Sequence, residues 1–302
     1  MTAATLALLL LTPAADPPKD PAAPPPKAVK LYDGESTFGW DATGDVTVKD
    51  GKLVIPKGAS VTFKCPLPSG SVVATNADGV SNQFGTLGGK PFTLPPKGES
   101  PAAYKSITFT PDNLKPLFNG KDLTGWSVFK DEKRQVSKWE VTKEGELHLT
   151  DGPGDLQTAG KYADFVVQLE CKTNGDGLNS GLFFRCIDGQ YQNGYEMQIN
   201  NAMTGNDPAK PKDGGTGAIY RRIAARKIVA KDKEWMTLTL IAKGPTFATW
   251  VNGEPVVVWT DDRAKDENPR KGLRLEAGHL SIQGHDKTTD LLFRSIQVAE
   301  MK

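Results

Sequence analysis

The sequence has no excess of charge of either sign. Its 37 Lys and Arg side chains are balanced by 36 Asp and Glu side chains, which gives a formal net charge of +1 over 302 residues. A nearly neutral chain creates no long-range field that would attract nucleic acid or an anionic membrane surface. We therefore expect neither of these partners.

Cysteine is scarce. Three cysteines are too few for a disulfide framework, and an odd number cannot all pair within one chain. Cys171 and Cys186 lie on either side of a turn-like segment, residues 173–181, so a hairpin could place them opposite each other. We favour two buried free thiols, because packing alone commonly buries cysteine.

Long apolar runs are also lacking. The run at residues 3–11 is shorter than the about 20 residues that cross a bilayer. Small residues and an acid follow it, so residues 1–15 are interpreted as a signal peptide. The absence of Lys or Arg before the run is atypical of such a peptide. The proline-rich residues 16–27 are expected to form an extended linker. These features predict an exported protein, periplasmic or extracellular, with no membrane-spanning segment after signal removal.

The sequence does contain an internal repeat. LYDGESTFGW at residues 31–40 is matched by LFNGKDLTGW at residues 117–126, and KSITF at residues 105–109 by RSIQV at residues 294–298. We infer that a small β-rich region, residues 28–113, is an abbreviated copy of a body formed by residues 115–302. Chance similarity between short turn-forming strings is the alternative.

The body is predicted to be all-β. It contains about eleven short alternating runs, such as FVVQLEC, GLFFRCI and YEMQIN, and turn residues separate nearly all of them. With 31 Gly and 22 Pro and no convincing long helix, this pattern indicates an antiparallel sandwich or barrel.

Strand alternation predicts which polar side chains share a face. If apolar residues such as Leu182, Met197 and Ile282 point into the core, their neighbours in sequence point outward. The outward set then consists of Arg185, Glu196, Gln198, Gln283 and His285, with Tyr220 at the rim. Arg and amide side chains suit sugar hydroxyls, and Glu with His can transfer protons. Solvated polar residues are the alternative, since the outer faces of antiparallel strands are normally polar.

Ten short motifs, in register from LFNGKDLTGW to FRSIQV, resemble the 3-keto-disaccharide hydrolase domain family. The resemblance covers essentially all of residues 115–302. It implies a concanavalin A-like jelly roll made of two antiparallel sheets, with the functional surface on the concave sheet, in proteins that are often exported. It also implies cleavage of a glycoside already oxidised at C3.

The implied reaction depends on the ketone, which acidifies the C2 hydrogen. A base removes that proton, the C1 substituent leaves by elimination, and water then adds. Glu196 and His285 are the predicted base and acid, in either order, and Arg185 and Gln198 would hold the ketone oxygen. Gln283, Tyr220 and Asn179 complete the predicted substrate-binding set. Residues 195–200 (YEMQIN) contain a single acid, and a conventional glycosidase mechanism with two carboxylates is therefore not expected.

No cofactor and no metal are predicted. The sequence has no glycine-rich phosphate loop, and its three His are too scattered to indicate a zinc site. Asn174, Asp176 and Asn179 could hold calcium, but the same residues also make an ordinary turn.

Two other functional classes remain open. The jelly roll also serves lectins, so a carbohydrate-binding module that turns nothing over is the main alternative. An interaction protein at the cell surface, with residues 28–113 as a docking unit, is the other.

Overall fold

The structure is a computed structural model that describes residues 25–86, 88–96, 99, 101–131 and 133–301. The predicted signal peptide and residues 16–24 of the predicted linker lie outside these residues. Within the described ranges, no helix has the length and apolar character needed to cross a bilayer.

The N-terminal region, residues 28–113, forms two small antiparallel sheets. One has the strand order β3-β4-β9-β6-β7 with β1 added to β9, and the other has the order β2-β5-β8. The nine strands are β1 (Val29–Lys30), β2 (Trp40–Thr43), β3 (Thr47–Lys49), β4 (Lys52–Ile55), β5 (Ser60–Phe63), β6 (Gly70–Asn76), β7 (Ser81–Thr86), β8 (Thr93–Leu94) and β9 (Ala102–Pro111).

The body, residues 115–302, adds thirteen strands and a 3₁₀ turn at Lys212–Gly214. The strands are β10 (Lys115–Pro116), β11 (Trp126–Val128), β12 (Lys138–Val141), β13 (Leu147–Thr150), β14 (Gly154–Tyr162), β15 (Phe165–Thr173), β16 (Ser180–Cys186), β17 (Tyr195–Ile199), β18 (Met236–Lys243), β19 (Thr246–Val251), β20 (Glu254–Thr260), β21 (Gly278–Gly284) and β22 (Asp290–Glu300).

These strands form two facing antiparallel sheets. The back sheet has the order β12-β13-β22-β15-β18-β19-β20, with β10 paired to β22, and the front sheet has the order β11-β14-β21-β16-β17. The apolar core between them includes Phe165 and Phe247 from the back sheet and Phe184 from the front sheet. The predicted all-β jelly-roll sandwich is therefore confirmed.

The two copies of the internal repeat make the same hydrogen bond. Trp40 donates its indole N–H to the carbonyl of Leu31, and Trp126 donates to the carbonyl of Leu117, at 2.7 Å in both cases. The strand that carries the second matched string pairs with a short earlier strand in both regions, β9 with β4 and β22 with β13. These shared contacts are consistent with an abbreviated copy, which stays a prediction.

The N-terminal region packs against the outer surface of the back sheet. Trp250 of β19 stacks on Phe63 with ring centroids 6.2 Å apart, and its indole N–H donates to the carbonyl of Lys30 at 2.6 Å. Val166 and Ile241 of the back sheet belong to the same apolar cluster. The N-terminal region therefore covers side chains that an isolated body would expose to water.

The three cysteines are free thiols, and all of them are buried. The favoured interpretation of Cys171 and Cys186 is confirmed, and the disulfide alternative is wrong. Cys171 lies on β15 of the back sheet and Cys186 on β16 of the front sheet, so the two do not form a hairpin pair.

Candidate active site on the front sheet

The register of the front sheet aligns polar positions in a row across four strands. Gln198 of β17 lies opposite Gly181 of β16, and Asp155 of β14 lies opposite Gln283 of β21. Since Leu182 pairs with Ile282, the register places Gln283 beside Gly181. The row therefore reads Gln198, Gly181, Gln283, Asp155, on the sheet face that points away from the core.

Glu196 lies on β17 two residues before Gln198 of this row, and it pairs with Phe183. Its side chain leans back over Gly181, where a Cβ atom would lie 2.6 Å from the Glu196 Oε1 atom. Glycine at position 181 therefore leaves the space that the carboxyl group occupies.

The Glu196 carboxyl group is enclosed but unpaired. The residue is 6% exposed, and within the described part of the chain its carboxyl group takes part in no hydrogen bond or ion pair. Burial raises the pKa of Glu196 to about 7, although the nearby Arg270 and Arg221 favour the charged form. A carboxyl group with this pKa can accept and release a proton near neutral pH.

Glu196 opens into a small cleft. Its lining is formed by Gly194, Tyr195, Glu196, Tyr220, Arg221, Arg222, Pro269 and Arg270. The backbone N–H of Tyr220 donates to the Glu196 carbonyl at 2.9 Å, so the structure places Tyr220 next to Glu196. Arg270 crosses the ring of Phe183 at 5.7 Å.

The row on the sheet offers hydrogen-bond acceptors without protein donors. Two buried oxygens of the row, Gln198 Oε1 and Gln283 Oε1, and the nearby Asn179 Oδ1 accept no hydrogen bond from the described residues. Buried acceptors normally have donors, and sugar hydroxyl groups are donors that fit such acceptors. This feature fits the predicted role of Gln198, Gln283 and Asn179 in substrate binding.

Asp155 belongs to this face but is not among the residues predicted from the sequence. Its side chain is fully buried, and burial raises its pKa to about 7, with a hydrogen bond from Gln157 at 2.9 Å acting in the opposite direction. The alternating string GDLQT, in which Asp155 and Gln157 flank Leu156, carried the signal. Gln192, from the segment between β16 and β17, donates to the Gly154 carbonyl and accepts from Gln283, and so covers this end of the row.

The prediction that Arg185 points outward is wrong. Arg185 is 0% exposed, and it donates to the carbonyls of Ala163 and Arg274 and to Asp164 at 2.8 to 3.1 Å. The register of β16 against β21 shifts between Phe183 and Cys186, and Arg185 has a φ of +51°. This bulge breaks the two-residue alternation and turns the guanidinium over the core ring of Phe247. Arg185 cannot reach a substrate on the outer face.

His285 follows β21 directly, at the far end of the site from Glu196. Its side chain is 42% exposed, and Nδ1 lies 2.8 Å from Asp286 Oδ2. Glu196 lies opposite Phe183, which pairs with Ser281, four residues before His285. Strand geometry then puts the Cα atoms of Glu196 and His285 about 16 Å apart. Proton transfer by this pair stays a prediction.

The turn considered for calcium uses its side chains in other contacts. Asp176 pairs with Lys233 at 2.7 Å, and Asn174 donates to Asp290 at 2.7 Å. Among the described residues no three His, Cys, Asp or Glu side chains gather into a possible metal site.

Solved structures with a similar fold include proteins described as glycosyl hydrolases and as a carbohydrate-binding module. A "putative glycosyl hydrolase" from Parabacteroides distasonis is 22% identical with a TM-score of 0.51, and the match covers 63% of this chain and 94% of that one. A second such protein from the same organism is 24% identical with a TM-score of 0.47, covering 63% and 100%. The carbohydrate-binding module CBM66 from Bacillus subtilis is 17% identical with a TM-score of 0.44, covering 59% and 98%.

A search of curated protein sequences gave no match. The family comparison, in contrast, covers most of the body and confirms the resemblance seen in the sequence motifs. Residues 113–299 match the model of the 3-keto-alpha-glucoside-1,2-lyase-like domain, and the chain therefore belongs to this family.

Proposed function

We propose that the protein cleaves glycosides oxidised at C3, with Glu196 as the base that removes the C2 proton. The observation that carries this proposal is the Glu196 carboxyl group itself. It is 6% exposed, makes no hydrogen bond to described residues, has a pKa of about 7 and opens into a cleft.

The reaction begins when Glu196 takes the proton from C2. The electron pair of the C–H bond moves towards the C3 carbonyl, and negative charge develops on its oxygen. Arg270 replaces Arg185 in this role, since its guanidinium lies in the Glu196 cleft and favours negative charge there. Gln198 provides a side-chain amide in the adjacent row.

The bond between C1 and the leaving oxygen then breaks as a double bond forms between C1 and C2. The leaving oxygen takes up one proton, for which His285 remains our candidate donor. Addition of water across the new double bond completes a net hydrolysis. Arrest before this addition would instead give a lyase product.

A conventional glycosidase mechanism is not supported by the geometry. It requires two carboxyl groups about 5 to 10 Å apart that both face the sugar. Asp155 is the other acid among the described strand residues of this face, but its side chain is fully buried beneath neighbouring side chains, so its carboxyl group does not face a sugar.

The test is incubation of the full chain with phenyl glucoside oxidised at C3, in deuterated water. We expect released phenol, a transient unsaturated keto sugar and deuterium at C2. Glu196→Gln should abolish all three signals, while Glu234→Gln, an exposed acid outside the cleft, should retain them. Phenol release without deuterium at C2 or an unsaturated intermediate would contradict the mechanism.

Carbohydrate binding without turnover is the second candidate, and the unpartnered acceptors of the row favour it. Equilibrium binding of plain and 3-keto disaccharides separates the two functions. Tight retention of both sugars without product would identify a lectin-like module.

Export of the protein is a separate proposal, based on the apolar run at residues 3–11 and the proline-rich segment after it. Fractionation of cells that express the full sequence would test it. Recovery of the intact chain with its first 15 residues in the cytoplasm would contradict it.

A further inference from the structure

The cleft next to Glu196 contains more positive charge than the proposed reaction uses. Arg221, Arg222 and Arg270 all line it, and Glu196 is the one acid in the lining. Within the described part of the chain, none of the three arginines has an Asp or Glu oxygen within 4 Å. Three like charges thus converge without a paired counter-ion.

Two of these arginines are held in place by backbone carbonyls. Arg270 donates through Nε and Nη2 to the carbonyl of Gln192 at 3.1 and 2.8 Å. Arg222 donates to the carbonyls of Arg270 and Arg221 at 2.6 and 3.3 Å. These contacts fix the positions of the guanidinium groups without neutralising their charge.

Arg221 is held differently. Its guanidinium lies over the ring of Tyr220 at 5.3 Å and makes no hydrogen bond to any described residue. Its backbone has a φ of +58°, a value that residues other than glycine rarely adopt. The exposed guanidinium therefore keeps all its donors for a ligand.

The charge balance of the reaction leaves this excess unchanged. Before proton transfer, the three arginines face one ionised Glu196. After transfer, Glu196 is neutral and one negative charge lies on the substrate enolate. The lining keeps two unmatched positive charges in both states, so stabilisation of the enolate alone does not account for three arginines.

We propose that Arg221 and Arg222 form a subsite for an oxyanion group carried by the substrate, so that the preferred glycoside is an acidic one. This inference rests on the proposed function, because it concerns the substrate of the same cleft. Guanidinium groups donate paired hydrogen bonds that match the geometry of carboxylate, sulfate and phosphate groups.

The test compares three phenyl glycosides oxidised at C3. The neutral glucoside is the reference, the 4-carboxyphenyl glucoside carries the anion on the leaving group, and the phenyl glucuronide carries it on the sugar. We expect kcat/KM for one of the acidic compounds to exceed the reference by about 10-fold or more, as charge-assisted hydrogen bonds allow. The preferred acidic compound identifies which end of the substrate carries the anion.

Variants assign the preference to the subsite. Arg221→Gln should reduce the ratio of acidic to neutral kcat/KM to about one, whereas Arg221→Lys should retain part of it. Lys231→Gln removes an equally exposed charge outside the cleft and should leave the ratio unchanged. Equal kcat/KM values for all three compounds, or a preference that survives in Arg221→Gln, would overturn the inference.

The outcomes also separate this inference from the proposed function. Turnover of all three compounds without preference would keep the function and remove the subsite. If no compound is turned over, calorimetry with the two acidic compounds decides. Binding that Arg221→Gln abolishes would then keep the subsite and remove the function, and absence of binding would remove both.

Discussion

Gly181 and Glu196 fit together across the ladder between β16 and β17. A Cβ atom on residue 181 would lie 2.6 Å from Glu196 Oε1 and 2.9 Å from its Cγ atom. Since the atoms that would be displaced belong to a flexible side chain, the fold can accommodate alanine while the carboxyl group moves. The missing side chain therefore positions a proposed catalytic group.

We expect Gly181→Ala to lower turnover of a C3-oxidised glucoside by about 10- to 100-fold, because a shift of about 1 Å in a reacting group can cost that much. The midpoint of urea unfolding should change little. Gly85→Ala is the matched control, since a Cβ at this strand position meets nothing within 4 Å. Equal turnover in both variants would mean that the position of the Glu196 carboxyl group does not limit the reaction.

The pH dependence of turnover should report Glu196. A base must be ionised to act, and burial raises its pKa to about 7, so kcat/KM should rise as the pH increases from 5.5 to 8. Glu196→Gln should lose about 10²- to 10⁴-fold in turnover while still binding substrate. A pH profile that is flat over this range would exclude Glu196 as the base.

Two buried acids should also make the fold more stable in mild acid than at pH 8. Burial raises the pKa of both Asp155 and Glu196 to about 7 in the folded state. The folded protein therefore keeps these protons where the unfolded chain has released them, and the free energy of unfolding falls as the pH rises from about 4 to 7. Shifts of this size correspond to at most roughly 4 kcal/mol for each group.

The check is urea unfolding of wild type, Asp155→Asn and Glu196→Gln at pH 4 and pH 8. Each variant lacks one of the two groups, so it should gain stability relative to wild type at pH 8 and differ little at pH 4. Variants that are less stable than wild type at pH 8 but not at pH 4 would show that the fold stabilises the carboxylates instead.

We expect Arg185 to stabilise the fold and not to bind the substrate. Its guanidinium is fully buried, so Arg185→Met leaves the carbonyls of Ala163 and Arg274 without these donors, while Asp164 keeps its contacts with Lys243 and the Gly244 N–H. We expect a loss of about 2 kcal/mol or more in the free energy of unfolding, because two carbonyls lose their hydrogen bonds in the interior. A variant of unchanged stability but raised KM would instead restore a role in substrate binding.

The N-terminal region should be required for a soluble body. A chain of residues 114–302 exposes Trp250, Ile241 and Val166, which the N-terminal region buries in the full chain. We expect this fragment to aggregate in size-exclusion chromatography, because an exposed apolar patch of this kind favours association.

The double substitution Trp250→Gln and Ile241→Thr in the fragment serves as its control and should restore a monodisperse peak. If the unsubstituted fragment is monodisperse and unfolds at the temperature of the full chain, the interface contributes no stability. Turnover by the soluble double variant would locate catalysis in the body.

The local pattern of the sequence was sufficient to predict much of this protein. Alternating apolar residues indicated an antiparallel sandwich or barrel, because strand alternation depends on residues close in sequence. The family resemblance indicated the form with two sheets. The same alternation correctly placed Glu196, Gln198 and Gln283 on one face.

Only the tertiary structure decided the rest. The bulge at Arg185 reverses the direction of one side chain, and a bulge depends on how β16 pairs with a strand about a hundred residues later. The buried state of Asp155 and the convergence of Arg221, Arg222 and Arg270 likewise depend on segments far apart in sequence. Periodicity specifies a face of a strand, but burial, charge balance and pKa depend on what the rest of the chain places over that face.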